Sequence, residues 1–117
     1  MRLDELVQAL LSHDALTARA WVADASRAGL RWPEIPRPEG FDSIGLAIAA
    51  GIAETLAARA GQAAPQWTAD VPGLAEPFLL VRAAATMPRL RRLCETEGPE
   101  PLRRRGLLAP PEFLTAA

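Results

Sequence analysis

The segment that most restricts the fold covers residues 42–60 and is apolar on nearly every side. It contains the run IGLAIAAGIA and a single interior acid, Glu54. Asp42 or Ser43 can cap a helix at its start, and Gly61 can end it. A helix that is apolar all round is stable in water only when other elements surround it. The sequence therefore predicts an all-α fold in which this helix is central.

Two amphipathic helices are expected before the central one. Leucine and valine side chains spaced three and four residues apart predict the first helix within residues 3–11. Ser12 or Asp14 can cap the second helix, which we expect over about residues 14–28, with Gly29 at its end. Both helices have one apolar face, and we expect those faces to pack against the central helix.

The central helix also predicts which residues form the core. Ile48, Ile52 and Leu56 follow one another at four-residue intervals and form one ridge. We expect this ridge to be buried, with Trp21 of the second helix in or beside the same cluster. Glycines within the helix, such as Gly51, permit another element to approach closely.

Prolines divide the rest of the chain into short pieces. Three of them make the connection 31–40 extended, and others prevent a long helix between residues 62 and 80. We expect a helix over about residues 87–95, with Thr86 as its N-cap and a proline in its first turn. A last helical turn should begin near residues 99–101 and end at Gly106.

These patterns predict one domain over residues 1–117, a small bundle of about four to five helices. Residues 1–61 form its helical core, and residues 62–117 form an irregular, proline-punctuated wrap. Residues 78–81 and 106–108 are the two places where a short strand fits best.

Composition excludes several classes of chemistry. All 13 basic residues are arginine, and the chain has neither lysine nor tyrosine. Lysine-based covalent catalysis is therefore absent, and arginine stays charged rather than transferring protons. The net charge of −1 argues against a dedicated nucleic-acid binder. A single cysteine, no signal-peptide pattern and no apolar run of membrane-spanning length predict a cytoplasmic protein without a membrane segment.

The residues most often used in catalysis are isolated from one another. His13 lies between Ser12 and Asp14, but adjacent residues cannot converge as a catalytic triad, so we expect His13 to be an exposed junction residue. Cys94 is predicted to be a buried helix cysteine rather than a reactive thiol. Phosphate-binding, dinucleotide-binding and zinc motifs are absent from the sequence. We therefore expect no catalytic residue, no metal site and no cofactor.

Arginine is concentrated near the C-terminal end. Up to residue 85 there are seven arginines and ten acids, whereas after it there are six arginines and four acids. A solvated helix face, a nucleic-acid patch and a protein-docking surface are all compatible with such clusters. We predict that Arg103, Arg104 and Arg105 form an exposed docking edge, joined by Arg91 and Arg92. Reversing the charges of Arg104 and Arg105 should then leave the fold intact.

Three short sequence blocks within about the last 50 residues form a recognisable series. They are Pro65 and Trp67, then Glu76, Pro77 and Phe78, then Pro101, Arg104, Arg105, Gly106 and Leu107. This series resembles the end of small bacterial antitoxin-like proteins encoded beside nucleotidyltransferase-type toxins. Many such proteins carry a DNA-binding helix-turn-helix at the N-terminus, but the N-terminal helices here are alanine-rich and acidic.

The resemblance implies a non-enzymatic protein that binds and neutralises a nucleotidyltransferase-like partner encoded by an adjacent gene. It adds Trp67 and Phe78 to the candidate partner-binding residues. The alternative is a small helical module that binds nucleic acid or phosphate through the C-terminal arginines.

Overall fold

The protein folds into five helices and one pair of very short strands within residues 1–115, which are the residues described by the computed structural model. The fold is all-α, as predicted. The helices are α1 (Leu3–Leu11), α2 (Ala15–Ala28), α3 (Ser43–Arg59), α4 (Pro88–Glu97) and α5 (Glu100–Arg103). The strands are β1 (Phe78–Leu79) and β2 (Leu107–Leu108).

The ends of α2 and α3 follow their capping residues. The Asp14 carboxylate accepts a hydrogen bond from the backbone N–H of Thr17 at 3.1 Å, and Gly29 ends α2 with a φ of +65°. The Asp42 carboxylate accepts one from the N–H of Gly45 at 3.0 Å. These contacts satisfy backbone groups that a helix end leaves unpaired. The predicted starts of both helices and the predicted stop of α2 are confirmed.

The core is built around α3, as the sequence predicts. Ile48, Ile52 and Leu56 are buried, and Trp21 belongs to the same cluster. Gly51 lies where α5 approaches, because a Cβ atom at this position would be 2.8 Å from Cδ2 of Leu102. Any larger residue at this position would force the buried Leu102 side chain, or one of the two helices, to shift.

The C-terminal half wraps around α3 in short pieces. A 3₁₀ turn at Gln66–Asp70 packs on α3, and β1 then pairs in parallel with β2. The N–H of Phe78 donates to the carbonyl of Gly106 at 2.8 Å, and the N–H of Leu80 donates to that of Leu108 at 3.0 Å. Both strands lie at the two places where a short strand was expected.

The start of α4 differs from its prediction. The N-cap is Met87 rather than Thr86, and no side chain caps this end. The Thr86 hydroxyl instead points back to the carbonyl of Ala83 at 3.5 Å, and Pro88 begins the helix. Proline has no N–H at the first helical position, so one fewer donor needs a cap there.

The inner face of α4 forms a second, smaller core cluster. Cys94 is fully buried in it with Ala84 and Leu108, and Leu90 packs against this cluster while remaining half-buried. Among residues 1–115, no helix combines the length and the apolarity needed to cross a membrane.

Candidate functional site

Arg105 is the most constrained side chain of the arginine-rich segment, because it is buried against α3. Its side chain is 4% exposed. Both Nη atoms donate to the Glu54 carboxylate, one of them to Oε2 at 3.1 Å. The other contacts reach backbone carbonyls: Pro101 at 3.1 Å, Thr68 at 2.9 Å and Val71 at 3.4 Å. Arginine has five N–H donors, and all five are used within the protein.

Glu54 is the partner that makes this burial possible. Its side chain is 12% exposed and also accepts a hydrogen bond from Arg104 at 2.5 Å. Burial by itself raises the pKa of the Glu54 carboxyl, but hydrogen bonds from Arg105 and the charges of both arginines outweigh it. The pKa of Glu54 is therefore lowered, and the carboxylate is charged at neutral pH.

The three consecutive arginines have three different environments, which corrects the prediction of a common docking edge. Arg105 is committed to Glu54 and to backbone carbonyls. Arg104 is half-exposed, pairing with Glu54 and, at 3.7 Å, with Glu100. Arg103 is exposed and donates from Nε to the carbonyl of Gly98 at 2.9 Å. The docking prediction is wrong for Arg105, since a buried guanidinium with no free donor cannot contact a partner.

The ion pair predicts how stability depends on pH. A carboxyl whose pKa is lowered by folding stabilises the native state above its unfolded pKa, about 4.3 for glutamate. That contribution is lost as pH falls through the folded pKa. We therefore expect the stability difference between the wild type and Glu54→Gln to shrink as pH falls from neutral to about 3. Urea unfolding of both proteins across this range measures it, and a constant difference would contradict the assigned role of Glu54.

Met87 and two arginines of α4 are exposed at the N-terminal part of this helix. We call Met87, Arg89 and Arg92 the α4 surface. Arg89 and Arg92 are three residues apart, so they lie on one side of the helix. Both are exposed and make no ion pair within residues 1–115, whereas Arg91 pairs with Glu95 at 3.2 Å. Met87, the N-cap residue of α4, is 53% exposed.

Trp67 and Phe78, the aromatic members of the predicted site, are half-buried and serve the fold. The indole N–H of Trp67 donates to the carbonyl of Ile35 at 2.8 Å, which ties the extended connection to the body. Phe78 stacks on the ring of His13 with centroids 5.8 Å apart. The structure does not bring either aromatic residue into the α4 surface.

His13 differs from its prediction as an exposed junction residue. It is half-buried, with a φ of +56°, and Nε2 donates to the carbonyl of Leu79 at 2.8 Å. Leu79 lies in β1, so His13 joins the turn between α1 and α2 to the strand pair. Sequence reasoning missed this contact because it joins residues 66 positions apart.

Cys94 is fully buried, as predicted. Burial raises the pKa of its thiol, and the negative charges of Glu112 and Glu95 act in the same direction. A thiol that is both buried and protonated is a poor nucleophile. In the part of the chain that the structure describes, no three acidic, histidine or cysteine side chains are grouped as metal ligands.

Comparisons with known proteins do not add a relative from which a function could be transferred. The chain matches no protein-family profile, no curated protein and no solved structure. The candidate site is therefore defined by the geometry of its own side chains. It consists of the α4 surface, Arg91 of the same helix, and Arg103 and Arg104 at the end of α5.

Proposed function

We propose that this protein is a non-enzymatic interaction protein that docks onto an acidic surface of a partner protein. The observation that carries the proposal is the α4 surface, where two exposed arginines without an ion pair follow an exposed methionine at the N-terminal end of α4. Methionine and arginine are enriched in protein interfaces, because one fills irregular apolar contacts and the other makes bidentate contacts to carboxylates.

The charge of the α4 surface favours an acidic partner. Arg89 and Arg92 repel a basic surface and attract carboxylates, which increases the rate of association and selects the partner. Arg105, in contrast, does not add to the positive charge that a partner would meet, because the Glu54 carboxylate neutralises it at contact distance.

The distribution of aromatic residues favours protein over single-stranded nucleic acid. Proteins that bind single strands stack bases on displayed aromatic rings. All six aromatic residues lie within the described chain, and none is exposed: Trp21 and Trp32 are buried, and Trp67, Phe41, Phe78 and Phe113 are half-buried. The α4 surface is therefore charged but has no exposed aromatic ring on which a base could stack.

We further propose that the partner is a nucleotidyltransferase-type toxin encoded beside this protein, which would make the protein an antitoxin. The resemblance of the C-terminal blocks to antitoxin-like proteins supports this assignment. The chemistry agrees with it, since a nucleotide-transferring enzyme surrounds its metal ions with carboxylates. A helix that carries arginine is electrostatically complementary to the entrance of such an acidic active site and can cover it.

The test is co-expression of this protein with the product of the adjacent gene. We expect the two to co-purify, and we expect Arg89→Glu with Arg92→Glu to weaken binding on the order of tenfold or more, because both charges then repel the partner. Isothermal titration calorimetry with the purified proteins measures the loss of affinity.

The control is Arg31→Glu with Arg37→Glu, which reverses two exposed charges in the connection between α2 and α3, where Arg31 forms an exposed ion pair with Glu34. This control should bind as the wild type does and should have the same circular dichroism spectrum. Retained binding by the α4 variant would contradict the proposal. Loss of oligonucleotide binding by the α4 variant, with the protein complex unaffected, would support the nucleic-acid alternative instead.

A further inference from the structure

A groove follows α2 along the side that faces the C-terminal segment. One cavity of about 750 Å³ extends between α2, the residues after β1 and residues 110–115. A second cavity of about 300 Å³ continues toward Gly29. Val22, Leu114 and Thr115 line both, so the two cavities are neighbouring parts of one depression. The groove thus accompanies all of α2, whose 14 residues span about 21 Å.

The groove is lined mainly by apolar residues, several of which have small side chains. Ala15, Ala18 and Ala23 line it from α2, and Ala83 lines it from the opposite side. Methyl side chains leave room for the backbone of another helix to approach, because the distance between packed helices depends on the side chains at the contact. Val22 and Phe113 add larger apolar contacts.

The charges at the groove are not balanced. Arg19, Arg82 and Arg59 line it, against the two acids Asp14 and Glu112, which gives a net charge of +1. Arg19 and Arg82 are exposed and form no ion pair within the described chain, so both guanidinium groups are free.

Two of the remaining charged groups at the groove have internal partners, whereas the exposed Glu112 carboxylate forms no ion pair within the described chain. The Asp14 carboxylate is engaged by the N–H and hydroxyl of Thr17, and Arg59 donates to the carbonyls of Pro111 and Phe113. The unpaired charges at the groove are therefore the two arginines Arg19 and Arg82 against one carboxylate, Glu112, and their sum is positive.

We infer that this groove receives an amphipathic helix of a partner protein, with apolar residues on one face and acidic residues beside them. An extended, open, apolar groove of this length suits the apolar stripe of a helix. Acidic residues next to the stripe would meet Arg19 and Arg82. The inference rests on the proposed function as a partner-binding protein and assigns a second contact, distinct from the α4 surface.

The experiment uses a designed peptide and the full-length protein. The probe is a fluorescein-labelled helical peptide with leucine at positions i, i+3, i+4 and i+7 and glutamate on both sides of the stripe. One control peptide has lysine in place of glutamate, and another has the same composition in scrambled order. Fluorescence anisotropy measures the affinity of each.

Two alanines of α2 provide the matched variants. Ala23 lines the groove and Ala20 is exposed outside it, so Ala23→Gln fills the groove while Ala20→Gln does not. We expect the glutamate peptide to bind the wild type and Ala20→Gln equally. Ala23→Gln should bind it on the order of tenfold more weakly, through steric exclusion of the stripe. Arg19→Glu should reverse the preference between the glutamate and lysine peptides.

Several results would overturn the inference: equal binding of the scrambled peptide, tighter binding of the lysine peptide, or no effect of Ala23→Gln. Binding of oleate without binding of the peptide would assign the groove to a lipid-like ligand, and self-association lost in Ala23→Gln would assign it to a second copy of this chain. If the peptide does not bind while the α4 variant still shows weakened binding of the co-purified partner, only the inference about the groove is contradicted. If the peptide binds and no partner does, the proposed function falls.

Discussion

Arg105→Ala will destabilise the protein by about 3–5 kcal/mol, which is the usual cost of removing one member of a buried ion pair. The loss has two parts. Glu54, 12% exposed, keeps only the half-exposed Arg104 as a cationic partner. The carbonyls of Thr68 and Pro101 also lose a charged donor, and the first of these hydrogen bonds is buried. A domain of this size has a total stability of about 5–15 kcal/mol, so the variant should be at the limit of folding.

Urea denaturation followed by circular dichroism measures this effect, and Arg103→Ala is the matched control. Arg103 is the neighbouring arginine, but it is exposed and makes a single hydrogen bond to a carbonyl. We expect its truncation to change stability by less than about 1 kcal/mol. Equal denaturation midpoints for the two variants would contradict the structural role of Arg105.

A third variant separates the charge pair from the packing around it. Replacing both partners, Arg105→Met with Glu54→Met, removes both charges of the buried pair, while the half-exposed Arg104 keeps Glu100 as a partner. Buried ion pairs replaced by apolar residues of similar volume often retain or gain stability. The double variant should therefore be more stable than Arg105→Ala. If it is equally unstable, the backbone hydrogen bonds of Arg105 stabilise the fold more than its charge pair does.

The helical framework was predictable because its signals are local. Asp14 and Gly29 mark the ends of α2 by their own side-chain and backbone properties, within a few residues of the helix. The position of α3 at the centre follows from its apolar composition alone. The exact start of α4 was not predictable, because the N–H groups of Thr86 and Met87 both donate to the carbonyl of Ala83 in the preceding turn.

The environments of the three arginines could not be predicted, because the deciding partner lies about 50 residues away. One local signal was available: Glu54 is the only acid inside an apolar helix, and a buried carboxylate requires a cation. Which of the 13 arginines supplies it depends on how the C-terminal segment crosses α3. That crossing is fixed by β1, β2 and the close approach at Gly51, and the strands are too short to show an alternating pattern.

Ile52→Ala should cost about 2–5 kcal/mol, because it opens a cavity in the centre of the core. Ile52 is fully buried, and α3 is packed on several sides, so its neighbours have little freedom to close the space. Leu16→Ala is the matched control: Leu16 is also a branched aliphatic residue in a helix, but it is 81% exposed and should lose less than about 0.5 kcal/mol. Chemical denaturation of both variants measures the two costs, and an unchanged midpoint for Ile52→Ala would contradict the central position of α3.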